Sequence, residues 1–204
     1  MALTTYSELK ASIANFLDRD DLAAIIPDFI ALAEAQHNRD IRHWQMQSRA
    51  ATTIDGQYAT RPTDWIETVR FHLVGSNALT LISRDYMAEL RAKNYSANAP
   101  TYFTHSEGQF EVYPTPGAPT DAEVLYMQKI PALSDSNTSN WLLEYAPDAY
   151  LYGALIHAAI YLQDELNTST WAQMYGASTT KLNIDSKKAL TSGAKTARIT
   201  GIRS

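Results

Sequence analysis

The chain has 204 residues, 45% hydrophobic and 19% charged, with a formal net charge of −5. That length carries one sizeable core, or one domain with an insertion, and the composition is that of a folded globular protein. The absence of cysteine excludes disulfides, thiolate zinc sites and a cysteine nucleophile.

The charge is divided. Residues 181–204 hold Lys181, Lys187, Lys188, Lys195, Arg198 and Arg203 against Asp185 alone, a net +5, which leaves −10 on the first 180 residues. An acidic body repels nucleic acid, while a basic tail reaches an acidic surface. The opening Met-Ala-Leu-Thr-Thr-Tyr lacks the basic stretch and apolar run of a secretory signal. The longest apolar run, Tyr150 to Leu162, contains His157 and falls short of the ~20 residues that cross a bilayer. The expectation is a soluble protein made in a cytoplasm, with no membrane partner.

Thr5-Tyr-Ser-Glu8 is a capping box, and Tyr6, Leu9, Ile13, Phe16 and Leu17 recur at helical spacing, so a first helix is predicted over 6–17. Pro27 suits a first turn, which predicts a second helix through Phe29, Ile30, Ala33, Ile41 and Trp44. The period then becomes strand-like. Asp55-Gly56 predicts a hairpin joining strands at 47–54 and 57–60. Val69, Phe71 and Leu73 alternate with polar residues up to Gly75-Ser-Asn77, and Leu79 to Ile82 is expected to continue the same sheet. Ser83 caps a short helix over 83–93 carrying Tyr86, Met87 and Leu90. Strands near 101–105 and 109–113 flank Ser106-Glu-Gly108, and a last strand runs over 123–129 into a polar linker at 131–140.

Pro147 starts a third long helix that is apolar nearly all round and should be central. A fourth restarts at Asn167-Thr-Ser169 with Trp171, Met174, Tyr175 and Leu182. From Thr191 onward no periodicity survives, which predicts a flexible arm over 191–204. The predicted class is α+β: a four-helix bundle from 1–46 and 140–190, an inserted antiparallel β region over 47–130, and an extended C-terminal tail.

Candidate chemistry is sparse. Glu34-Ala-Gln-His37 has the spacing of bundle carboxylate metal sites, but these need a second such motif and two further glutamates on facing helices. The third and fourth helices supply neither, so a solvated face continued by Arg39, Asp40 and Arg42 is expected, with no metal and no cofactor. His157 reads as a neutral core residue. Asp20, Asp21, Glu144 and Asp148 suit helix initiation better than an acid/base pair. No nucleophile elbow and no phosphate-cradling loop are present, so no catalytic residue is assigned. Six of the twelve tyrosines and two of the four tryptophans fall between Leu125 and Tyr175. Trp141, Tyr145, Tyr150, Tyr152, Trp171 and Tyr175 are therefore the candidate core or interface aromatics.

The words Tyr126-Met-Gln-Lys-Ile-Pro-Ala-Leu133, Asn140-Trp-Leu-Leu143 and Pro147-Asp-Ala-Tyr-Leu-Tyr-Gly-Ala-Leu155, with Trp171 and Tyr175, resemble the head-to-tail adaptor proteins of tailed bacteriophages. The nearest type is that of short-tailed phages, tail tubular protein A-like. The Tyr6 to Leu17 helix and Tyr58 to Trp65, around Arg61-Pro-Thr-Asp64, fit the same pattern. The resemblance covers most of residues 1–180 and implies a structural virion protein. It implies a ring, commonly of twelve subunits, in the neck below the portal protein. Such a ring continues the DNA channel without holding the DNA specifically and offers a platform to a tail or nozzle protein. It also implies a C-terminal extension that grips the portal, here by position and charge Lys195, Arg198, Ile199, Ile202 and Arg203. The rival readings are a virion cell-wall hydrolase using paired carboxylates, and another neck or tail completion protein, such as a stopper.

Overall fold

A computed structural model describes residues 3–19, 21–76, 78–93 and 99–192. The chain is α+β and divides into two compact units, Met1–Gln45 with Ile130–Ser204, and Met46–Lys129. The five arm residues named above lie outside the described residues, as do Asp20 and Asn77.

In the first unit, α1 (Tyr6–Leu17) begins at the capping box. The Thr5 side chain accepts from the Glu8 N–H, and the Glu8 carboxylate accepts from the Thr5 N–H at 3.0 Å. Helix α2 (Ile26–Asp40) carries Pro27 in its first turn but stops short of Trp44. Asn183, on the last helix, supplies the physical reason. Its amide accepts the Arg42 N–H at 2.8 Å and donates to the Asp40 carbonyl at 3.0 Å, so Ile41 turns extended. Trp44 falls in a separate 3₁₀ turn, Trp44–Met46.

The polar linker ends in an unexpected short helix, α4 (Trp141–Tyr145), because Asn140 caps it by accepting the Leu143 N–H at 2.9 Å. Pro147 then forbids helical geometry at Ala146, and α5 (Pro147–Tyr161) starts afresh. Its Ala154, Leu155 and Ala158 are fully buried, and α1, α2, α4 and α6 all pack on it. Gln163 ends it with φ 57. Asp164, and not Asn167, caps α6 (Glu165–Thr191) by accepting the Asn167 N–H at 3.0 Å. Lys181, Lys187 and Lys188 stand on this helix. Five helices make up the described part of this unit.

The second unit has two sheets, ordered β1-β7-β3 and β2-β6-β5-β4. The first comprises β1 (Gln47–Ile54), β3 (Trp65–Leu73) and β7 (Thr120–Gln128). The second comprises β2 (Tyr58–Thr60), β4 (Thr80–Leu81), β5 (Tyr102–Ser106) and β6 (Gln109–Tyr113). The hairpin expected at Asp55-Gly56 is not formed. A type I′ turn needs positive φ at both residues, and neither has it; β1 pairs with β7, and β2 with β6. The region is also not purely antiparallel. Ala78 and Leu79 still bridge to β3, the Leu79 N–H donating to the Phe71 carbonyl at 2.7 Å, but Thr80–Leu81 then joins the other sheet, where β4 runs parallel to β5. A register shift between Thr68 and Arg70 turns Val69 outward, out of the alternation expected of it.

Phe71 from the first sheet meets Phe103 and Phe110 from the second, at ring-centre separations of 5.3 and 5.0 Å. Ile54, Val112 and Val124 complete a core shared by both sheets. Helix α3 (Arg84–Ala92), capped by Ser83, is clamped to the second sheet by Arg91, which pairs with Glu111 at 2.6 Å and donates to the Val112 carbonyl. Because Phe71 is fully buried and fills the middle of this core, Phe71→Ala should cost about 3–5 kcal/mol. Urea unfolding of the purified variant checks this; a loss below about 1 kcal/mol would contradict the packing described.

Candidate interaction surfaces

Helix α2 brings Glu34 and His37 onto one face, one turn apart. That face is buried, not solvated: Glu34 is 8% exposed and His37 fully buried. The Glu34 carboxylate accepts from the Leu133 N–H at 2.7 Å and from the Tyr150 hydroxyl at 3.3 Å. The Tyr150 oxygen in turn accepts from Asn140 at 2.6 Å, and the same Asn140 amide donates to the Pro131 carbonyl. One residue group thus ties α2, the connector 130–140, α4 and α5 together. Asn38 extends it, accepting the Ile130 N–H at 2.8 Å. Burial raises the Glu34 carboxyl above its ordinary value, and burial raises the Tyr150 hydroxyl too, with the nearby Glu34 charge adding to the effect.

His37 lies edge-on to Tyr150 and stacks on Tyr175, at 4.7 and 5.7 Å between ring centres. Its Nε2 sits 3.2 Å from the Ala149 carbonyl. Burial pushes its pKa down to about 4, so it is neutral in the fold at pH 7. Among the described residues no group of three or more His, Cys, Asp or Glu is placed to hold a metal ion. The E-x-x-H pair is a structural latch. The solvated face expected here is instead buried: Ile30 and Ala33 share the helical face of Glu34 and His37, a spacing masked in the sequence by the neighbouring Arg39 and Asp40.

The six candidate aromatics separate. Tyr150 and Tyr175 are core. Tyr152 and Trp171 are half-buried and stack at 5.8 Å, with the exposed Phe16 edge-on to Trp171 at 5.9 Å. Half-buried Trp141 stacks on buried His43 at 5.0 Å, and Tyr145, 55% exposed, leans on the same ring. Trp44, which falls outside α2, is 46% exposed and joins this second group through His43. Burial lowers the His43 pKa. His157 is half-buried on α5 and has its pKa lowered, by burial first and Arg39 second. Glu144, Asp148 and Asp21 are exposed, and Asp21 pairs with Arg19 at 2.6 Å. In the β unit, the Arg61 guanidinium covers the Trp65 ring at 4.1 Å, and Asp64 accepts from the Tyr126 hydroxyl at 3.0 Å. The Arg61-Pro-Thr-Asp64 word therefore serves local packing.

The helical unit carries large half-exposed aromatics, and the β unit has a core of its own. Residues 4–198 match the SU10 adaptor protein family, and the chain belongs to that family of bacteriophage head-to-tail adaptors, structural proteins of the virion. No curated protein matches the chain. Among the described residues no helix is long and apolar enough to cross a membrane.

Two outcomes follow from the latch. A Cβ at Gly153 would stand 2.9 Å from the His37 Nε2 and 3.2 Å from the Ala33 Cβ. His37 is held by two rings and cannot yield. Gly153→Ala should therefore destabilise by about 1–3 kcal/mol, exceeding the ~1 kcal/mol gained in helix propensity. Thermal unfolding that showed stabilisation would contradict the close approach of α2 and α5. The His37 pKa is depressed below its ordinary 6.5. Its contribution is thus present above pH 6.5 and lost as pH falls toward 4, on the order of 2 kcal/mol between pH 7 and 4.5. Glu34, with a raised pKa, acts in the opposite sense: its contribution is lost as pH rises through that pKa. Denaturant titrations at the two pH values should show the His37 component in the native chain and its disappearance in His37→Gln.

Proposed function

We propose that this adaptor forms a ring, of twelve subunits in the particle, below the portal protein. In this reading the ring continues the DNA channel and gives a tail or nozzle protein its platform. The observation that carries the reading is family membership across nearly the whole chain. The half-exposed aromatics of the helical unit support it, since aromatic side chains are enriched where proteins bury one another. The helices around α5 act as the rigid bundle of each subunit, and the β unit is a second surface for neighbours.

Charge supports the channel. Each lysine or arginine that engages phosphate releases counterions and adds affinity, so a basic lumen would stall DNA. The first 180 residues carry −10, which suits a conduit that DNA slides through. The segment after Ser192 combines Lys195, Arg198 and Arg203 with Ile199 and Ile202, the mixture of charge and spaced apolar anchors that docks along a groove. We assign it to the portal.

Removal of residues 193–204 should leave a folded chain, with unchanged circular dichroism, that no longer attaches to portal-bearing heads. Attachment at the native level by the shortened chain would rule out that role of the arm.

A further inference from the structure

Two patches of the helical unit stand at opposite ends of α6, with opposite charge and matching apolar character. The first lies where α5 turns into α6. A groove of about 480 Å³ is lined there by Ile160, Glu165, Thr168 and Ala172, among others. Leu166, beside it, is 82% exposed, and Ile160 is 57% exposed. The rim is acidic. Both oxygens of Asp164 are engaged by Asn167, whereas Glu165 has no ion-pair partner among the described residues.

The second patch surrounds the C-terminal turns of α6. The backbone N–H of Trp44 donates to the Ser186 hydroxyl at 2.9 Å, which holds the chain at Trp44 against the helix, and the indole it carries is 46% exposed. Leu190, one turn beyond Ser186 on the same face, is 56% exposed. The rim here is basic. Lys188 stands 3.6 Å from Asp185, while Lys181 and Lys187 have no ion-pair partner among the described residues.

From Glu165 to Lys188 the helix rises roughly 35 Å, so the two patches of one chain cannot meet. Exposed apolar groups rimmed by charge mark protein contacts, and opposite rims select for each other and against like pairing. Two different patches on one chain make a head-to-tail contact, which closes into a ring when the rotation per subunit allows.

We propose that the groove at the α5–α6 turn receives the C-terminal end of α6 from a second copy of this chain. Ile160 and Leu166 pack against Leu190 and Trp44 of that copy, and Glu165 faces its Lys187. The proposal rests on the ring reading and names the surface through which the ring closes. It leaves the segment beyond Ser192 to reach the portal.

The cysteine-free chain makes the test clean. Virions carrying Leu166→Cys together with Leu190→Cys should yield a ladder of covalent multimers on oxidation, while either single variant yields monomers. Dimers from a single variant, or no ladder from the double one, overturn the contact. Charge reversal supplies a second arm. Glu165→Lys and Lys187→Glu should each lower incorporation of the chain into particles about tenfold, and co-expression of the two should restore it, because each then offers the other a matched face. If the lysines instead serve nucleic acid, Lys187→Glu is not rescued, which also overturns the contact. Copy number per particle, from quantitative mass spectrometry, separates the failures. Many copies without a ladder sink the contact and leave the ring; a single copy sinks both.

Discussion

A carboxylate taken out of water must be given donors, or it drives its surroundings apart. Glu34 is given the Leu133 N–H and the Tyr150 hydroxyl, and these two donors come from the connector and from the central helix. The geometry of the helical unit follows from that requirement. The connector 130–140 has no regular structure of its own, yet its path is fixed because the Leu133 N–H donates to Glu34 and the Asn140 amide donates to both the Pro131 carbonyl and the Tyr150 hydroxyl. Asn140 then caps α4, and Ala146 and Pro147 redirect the chain into α5. Loss of any partner leaves a buried polar atom unmatched, so the network acts as a unit.

A latch of this kind relates stability to assembly. The interior of the helical unit is closed by specific polar bonds and by the close approach at Gly153, and it does not need the outer aromatics. Trp44, Tyr145, Phe16 and Leu166 are left between 46% and 82% exposed, a cost that a free monomer would avoid. In the ring proposed above, neighbouring subunits and partners would cover those groups. The β unit follows the same division: three phenylalanines hold the two sheets together, while Tyr58, Val69 and Leu81 remain outside.

Much of the fold is legible from local rules. The Thr5–Glu8 capping box, Pro147 at a helix start, Ser83 as a cap and the apolar circumference of α5 each lead to the element observed. What is not legible depends on groups distant in sequence. Asn183 ends α2 from 141 positions away, and no periodicity at Ile41 or Trp44 announces it. Asp55-Gly56 has hairpin chemistry, but β1 finds more partner length along β7 than β2 offers. The burial of Glu34 and His37 depends on Tyr150, over a hundred residues on. Of the aromatics singled out from composition, Tyr150 and Tyr175 serve the core, and Tyr145 is exposed. Composition reports the amount of aromatic surface, not the side of the fold it faces.

The most direct measurement is an image of the assembled phage neck at side-chain resolution. The exposed aromatic and aliphatic groups of the helical unit, Phe16, Trp44, Tyr145 and Leu166, should be covered by protein, with acidic surface left facing the DNA path. A neck in which those side chains face solvent, while lysine and arginine line the channel, would contradict that arrangement.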